Sequence, residues 1–149
     1  MYAIVLSLHN LLRWVVLLTG VYSVLRAGAG VVSRGSWLPA DEVARKLFPI
    51  TLDIQVLVGI SLWAFLSPIT TMAFHSTGPV MSNPTIRFYL VEHGLAGLLA
   101  LAFAHIGAAR ARRLKIARAR FMSLLVFHGI ALVLIAARIP WDRPLLRMP

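Results

Sequence analysis

The sequence predicts an all-α integral membrane protein, an up-down bundle of four transmembrane helices with both termini on the outer side. Three observations lead there. The first is composition: 59% of the 149 residues are hydrophobic and 13% charged, against roughly 45–50% and about 25% in soluble globular domains. Mean hydropathy is +0.81. A soluble domain of this length buries only about 70% of the surface its unfolded chain exposes, so this much apolar surface requires lipid. The second is four apolar stretches, each long enough for the about 20 residues that a bilayer crossing takes. The third is the way Lys and Arg sort between the connections. Together they exclude a cytosolic globule, a secreted domain and a disordered tail.

The first span runs from about residue 4 to 25, interrupted by His9, Asn10 and Arg13. The second covers about 50–67 and stops near Ser67-Pro68, with Pro39 and Pro49 read as punctuation of the loop before it. The third, about 85–109, opens at Asn83-Pro84-Thr85, an N-cap followed by proline at the first helical position. The fourth, about 121–139, ends at Pro140-Trp141. Short connections favour antiparallel neighbours, and nothing suggests a second domain, so residues 1–149 form one unit. The N-terminus does not read as a cleavable signal, because the first apolar run begins at Met1 and is too long for a signal's apolar region.

Orientation follows from charge. Arg26, Arg34, Arg45 and Lys46 lie between spans one and two; Arg110, Arg112, Arg113, Lys115, Arg118 and Arg120 lie between spans three and four. Those ten share one side. Arg87, Arg138, Arg143 and Arg147 share the other, and Arg13 lies within a span. The positive-inside rule then puts the ten in the cytoplasm and both termini outside, with Tyr2 and Trp141 at the outer interface. The net charge of +10 therefore reads as headgroup-facing loops, not as a nucleic-acid surface. Cysteine is absent, which excludes disulfide partners, thiolate metal sites and thioether-linked haem.

Small residues mark where helices approach: Gly94, Gly97, Ala100, Ala104 and Gly107 on the third span, Gly59 on the second, Gly129 on the fourth. A glycine beside a histidine also makes room for a flat macrocycle. Ionisable residues inside spans are costly and are functional candidates by default. They are His9, Arg13, Asp53, Glu92, His93, His105 and His128; His75 falls in a loop. His9 and His93 each lie about seven residues, roughly 10 Å, into spans that enter from the same side. Two imidazoles at one depth on different helices suit the axial ligation of a b-type haem. The alternative is interhelical hydrogen bonding by each histidine. Arg13, one turn from His9, is placed to meet a haem propionate or to pair with Glu92. His105 and His128 are weaker ligand candidates. Asp53 reads either as a helix cap, the favoured reading, or as a partner of His105 for a proton or a quinone headgroup. Motifs for hydrolysis, phosphate binding and zinc chemistry are missing, and the fourth span carries no charge between Arg120 and Arg138, which argues against a channel or transporter.

The segments Leu8-His9-Asn10-Leu11-Leu12-Arg13-Trp14, Gln55-Val56-Leu57-Val58-Gly59, Glu92-His93-Gly94 and Ile139-Pro140-Trp141 resemble a family of small bacterial four-helix membrane proteins described as cytochrome b-like. The resemblance spans nearly the whole chain. It implies a haem-associated bundle in the bacterial inner membrane, outer side periplasmic, with His9 and His93 at the family's histidine positions and Arg13 at its arginine. Asp53 departs from the family, whose members often have histidine there, and puts a cofactor contact from span two in doubt. The expected function is a haem b subunit holding its cofactor among His9, Arg13, His93 and Gly97. It relays electrons between a quinol and an external carrier within a larger respiratory or photosynthetic complex. The rival is a non-redox accessory or structural subunit of such a complex, in which the same residues ligate a chlorophyll-type pigment or contact lipid. Either way the chain reads as a subunit among membrane partners more than as a stand-alone enzyme.

Overall fold

The computed structural model describes residues 1–141. Five α-helices account for nearly all of it: α1 (Tyr2–Ser33), α2 (Pro39–Leu66), the short α3 (Pro68–Phe74), α4 (Pro84–Arg113) and α5 (Ala117–Ala137). Four of these, all but α3, are long and apolar enough to cross a membrane. The chain is a multi-pass membrane protein.

Large apolar side chains point outward. Leu18 is 70% exposed, Leu57 65%, Phe65 77% and Val133 68%, values that only lipid contact makes tolerable over so many residues. The interior is rich in small and polar groups, packed around a few large ones such as Phe48, Leu52 and Leu124. Asn10, Arg13, Val16, Gly20, Ser23, Ala27 and Gly30 form the buried stripe of α1, and their steps of three or four keep one seam facing the bundle. Ala96, Ala100, Ala104, Gly107 and Ala111 do the same on α4. Without a hydrophobic drive between helices in lipid, close backbone approach along such stripes supplies the dispersion that holds the bundle.

The helices form a square. α1 packs on α2 and α5, and α4 packs on the same two, so α1 and α4 face each other across the diagonal. The dense core of Val16, Phe48, Leu52, Ala100, Ala104 and Ala131 lies around the middle of the bundle, and a smaller cluster of Ala27, Ala111 and Leu124 lies next to the α1–α2 and α4–α5 connections. Close approach is sharpest at Gly30, where a Cβ would fall 2.6 Å from the Phe121 ring, and at Gly107, 2.6 Å from the Phe127 Cβ. Nothing lies within 4 Å of a Cβ placed at Gly94, Gly97 or Gly129. Those three glycines do not serve helix contact.

The helices outrun the apolar stretches. α1 continues to Ser33, and α2 starts at Pro39 and runs straight through Pro49. Hydropathy measures residence in hydrocarbon, whereas the helix persists into the headgroup layer because its polar ends are paired. Asp41 accepts from Arg26 Nε at 2.9 Å and from the Leu38 amide at 2.8 Å, which caps α2 in its own first turn. Asp53 is therefore mid-helix and caps nothing, contrary to the sequence reading. Pro49 removes one intrahelical donor, toward the Arg45 carbonyl, yet the helix continues through it, and the Arg45 side chain ties this part of α2 to α4 by donating to the Ala108 carbonyl at 3.2 Å.

The start of α4 is as the sequence indicates. Asn83 Oδ1 accepts from the Thr85 and Ile86 amides at 3.0 and 3.1 Å, with Pro84 at the first helical position. Asn83→Ala is expected to cost about 1 kcal/mol and to speed hydrogen exchange at Thr85 and Ile86 while leaving α5 amides unchanged. Exchange at Thr85 and Ile86 equal to the parent's would refute the capping role.

Candidate functional site

At the end that carries Met1 and Trp141, the bundle opens around a cavity of about 550 Å³, within the 300–1,000 Å³ typical of cofactor pockets. Its walls come from all four long helices: His9 and Arg13 of α1, Gln55 and Gly59 of α2, His93 and Gly97 of α4, and Ile135 of α5. Two local features of the chain shape it. In α2 the backbone widens by one residue over Leu62–Leu66, closed by the Ser67 amide on the Leu62 carbonyl at 2.8 Å. In α4 it widens again over Phe88–Glu92, immediately before His93. Each wide turn inserts a residue and rotates the remainder of its helix, a device found often at functional sites. The short α3 then folds over the opening, with Thr70 Oγ donating to the Trp63 carbonyl at 2.7 Å and the Phe74 ring on Trp63 at 5.1 Å.

His9 and His93, from diagonal helices, meet across the bundle with ring centroids 6.2 Å apart and planes at 71°. The two rings lie edge to face, close enough that one nitrogen of each would hold a common metal ion once turned toward it. His93 Nδ1 donates to the Arg138 carbonyl at 2.8 Å, which fixes the tautomer and leaves Nε2 with its lone pair, the usual outer-shell arrangement of a metal-binding histidine. Phe88 and Tyr89 stand beside the His93 ring at 5.7 and 6.5 Å. The Gln55 amide donates to the His9 carbonyl at 3.1 Å and to His9 Nε2 at 3.3 Å. Gly59, one turn along from Gln55, leaves room for that ring: a Cβ there would sit 3.2 Å from His9 Cε1.

Among the described residues, four buried side-chain polar atoms have no hydrogen-bond partner, and three of them are His9 Nδ1, Arg13 Nε and Gln55 Oε1. All three residues line this one cavity. Buried polar atoms are ordinarily satisfied, so three orphans converging on one space fit a polar or metal-bearing occupant. Arg13 is 7% exposed; it donates to the Pro140 carbonyl at 3.4 Å and lies against Trp14. Among the described residues no carboxylate reaches its guanidinium. Glu92 pairs instead with Arg87 at 2.8 Å and Arg138 at 3.2 Å, so the Arg13–Glu92 pair considered from the sequence does not form.

The other histidines lie apart. His128 is fully buried, and both its nitrogens are engaged, Nδ1 with the Ser23 hydroxyl at 2.7 Å and Nε2 with the Ala104 carbonyl at 3.1 Å. That is a packing role. His105 meets Asp53 at 2.9 Å on the outer face of α2 and α4, both about half exposed, away from the cavity. His75 caps the end of α3.

Gln55 is the functional candidate that a census of ionisable residues passes over. Its signal is a neutral amide within an apolar run, four residues before Gly59 and so on the same helix face. Arg143 and Arg147, counted for orientation, lie outside the described residues. Comparison of the chain with family models, with curated proteins and with solved structures returns no match.

Proposed function

We propose that this chain is a b-type haem subunit of a larger membrane complex, with His9 and His93 as the two ligands, Arg13 facing the haem's acidic edge and Gly97 leaving space for the ring. The observation that carries this reading is the His9–His93 pair across a 550 Å³ cavity whose wall holds three unsatisfied polar atoms. The resemblance to small cytochrome b-like membrane proteins points the same way. The ten-to-four sorting of Lys and Arg supports termini on the periplasmic side of a bacterial inner membrane, which sets the cavity near the outer surface.

Bound haem supplies one-electron chemistry at its iron. The chain's own residues prepare the place for it. Arg138 holds the His93 tautomer through its carbonyl. Gln55 engages the lone pair of His9 Nε2 and so has to yield that nitrogen to a metal while keeping its second bond, to the His9 carbonyl. Arg13 is a buried cation whose charge favours an anionic group and raises the affinity for an electron. The walls are mostly apolar and α3 covers part of the opening, which lowers the local dielectric and strengthens these charge effects.

The test is a reduced-minus-oxidised visible spectrum of the purified protein with its native partners, together with a pyridine haemochrome assay. A b-type α-band at one haem per chain, lost in both His9→Ala and His93→Ala while far-UV circular dichroism is unchanged, is the expected outcome. A folded sample without haem overturns the reading. Recovery of a chlorophyll-type pigment or a lipid in its place assigns the cavity to the accessory-subunit alternative.

A further inference from the structure

At the end remote from the cavity the chain has more cations than it can neutralise. Asp41 is taken by Arg26, and Glu42 by Arg45, Lys46 and Arg120. Arg110, Arg112, Arg113, Lys115 and Arg118 have no carboxylate partner among the described residues. All five fall in the last turn of α4, the three-residue connection and the first turn of α5. Arg112, Arg113 and Lys115 are simply exposed. Arg110 and Arg118 instead line a groove of about 630 Å³ between α4 and α5. The Arg110 guanidinium lies 5.5 Å from the centre of the Phe127 ring, which holds the side chain against the groove wall. Leu114 and Ile116 of the connection border the groove beside the two arginines, and further along α5 its lining is Met122, Ser123, Val126 and Phe127. From Arg118 to Val126 the groove descends roughly 12 Å along α5. Ile116 is 70% exposed, Val126 44% and Met122 42%, so the groove opens sideways toward lipid.

A pair of cations at the headgroup level above an apolar trough on a transmembrane surface matches one class of ligand in both charge and shape. We propose that the α4–α5 groove is a binding site for an anionic glycerophospholipid, its phosphate between Arg110 and Arg118 and an acyl chain along Met122, Val126 and Phe127. Basic pockets between transmembrane helices hold acidic headgroups in this way, each Lys or Arg adding about fivefold in affinity. Charge complementarity selects the occupant: a zwitterionic lipid offers the same chains but brings its own cation to the two arginines. The inference is independent of what occupies the cavity at the other end.

Native mass spectrometry of the full chain, released from nanodiscs of mixed phosphatidylglycerol and phosphatidylcholine, tests it. The expected result is one retained phosphatidylglycerol per chain, with phosphatidylcholine retained at roughly a tenth of that level or less. Arg110→Gln with Arg118→Gln abolishes the preference, whereas Arg34→Gln, an unpaired cation outside the groove, preserves it. Phe127→Ala, which removes the floor and leaves both charges, weakens retention several-fold. Millimolar inorganic phosphate leaves the lipid in place if the chains contribute. Displacement by phosphate identifies a simple anion site and overturns the lipid assignment, as does equal retention of the two lipids or a loss in Arg34→Gln as large as in the double variant. The wild-type preference is read without any variant, so a misfolded variant does not leave the question open.

Discussion

His128→Ala is expected to lower the stability of the bundle by about 3 kcal/mol. The side chain is completely buried and ties three helices at one level. It accepts the Ser23 hydroxyl of α1, donates to the Ala104 carbonyl of α4 and presents its ring to Phe48 of α2 at 5.1 Å. Removing it opens a cavity, for which large-to-small core changes cost about 2–5 kcal/mol. It also orphans the Ser23 hydroxyl; interhelical hydrogen bonds in membranes average about 0.6 and reach about 1.7 kcal/mol. Ser23→Ala removes only the second effect and is expected to cost about 1 kcal/mol. Gly107→Ala acts at the same level by the opposite route. Its Cβ would meet the Phe127 Cβ, which a rotamer change does not move, so α4 and α5 must separate at a cost of about 1–3 kcal/mol. Unfolding by sodium dodecyl sulfate, followed by far-UV circular dichroism, orders the three. A His128→Ala protein within about 0.5 kcal/mol of the parent would remove the packing role and return His128 to the set of candidate ligands. Haem per folded chain is expected to be unchanged in this variant, which separates a structural histidine from a liganding one.

The contrast between His128 and His93 shows what one sequence does and does not reveal. Four crossings, their order and the Asn83 cap were legible because each depends on local chemistry: apolar length, proline position, a side-chain acceptor two residues before an amide. The matched depth of His9 and His93 was legible too, since rise per residue is fixed, and the structure brings the two rings together. Their facing was not. It depends on the wide turn at Phe88–Glu92, one inserted residue with no compositional mark, which rotates His93 relative to the start of α4. The same limit explains the glycines. Gly97 and Gly107 look alike along the chain, yet one borders open space and the other a phenylalanine Cβ. Gly20 and Gly30, the tight contacts of α1, carry no signal beyond their residue type. Asp53 was misjudged because hydropathy starts α2 eleven residues late; with the true start at Pro39, the capping carboxylate is Asp41 and Asp53 meets His105. That last pair joins two ionisable groups on a lipid-facing surface, where the general expectation is that such groups turn inward.

Gly97→Phe is expected to weaken cofactor binding by about one to two orders of magnitude while leaving the bundle as stable as the parent. Gly97 lies one turn beyond His93 on the same face of α4 and lines the cavity, and a Cβ built there meets nothing within 4 Å. A benzyl group at this position therefore enters free volume, not packed side chains. The helix gains as well, since glycine inside a helix costs about 0.5–1 kcal/mol relative to alanine. What the ring removes is the space below the two imidazoles. A flat macrocycle ligated by His9 and His93 then has to displace the phenyl or part the helices, and overpacking of about 1–3 kcal/mol corresponds to roughly fivefold to 150-fold weaker binding. Gly97→Ala, adding one methyl, is expected to retain most of the cofactor. Gly129→Phe is the matched control: its Cβ is equally unobstructed, but it sits on α5 away from the cavity lining, so both stability and occupancy hold. Haem per folded chain, measured as pyridine haemochrome, reads the outcome, and the sodium dodecyl sulfate midpoint reads stability. Full occupancy in a stable Gly97→Phe protein would place any macrocycle elsewhere and confine His9 and His93 to hydrogen bonding. Loss of occupancy in Gly97→Phe with retention in Gly129→Phe ties the cofactor to this cavity by volume alone, without altering either of its ligands.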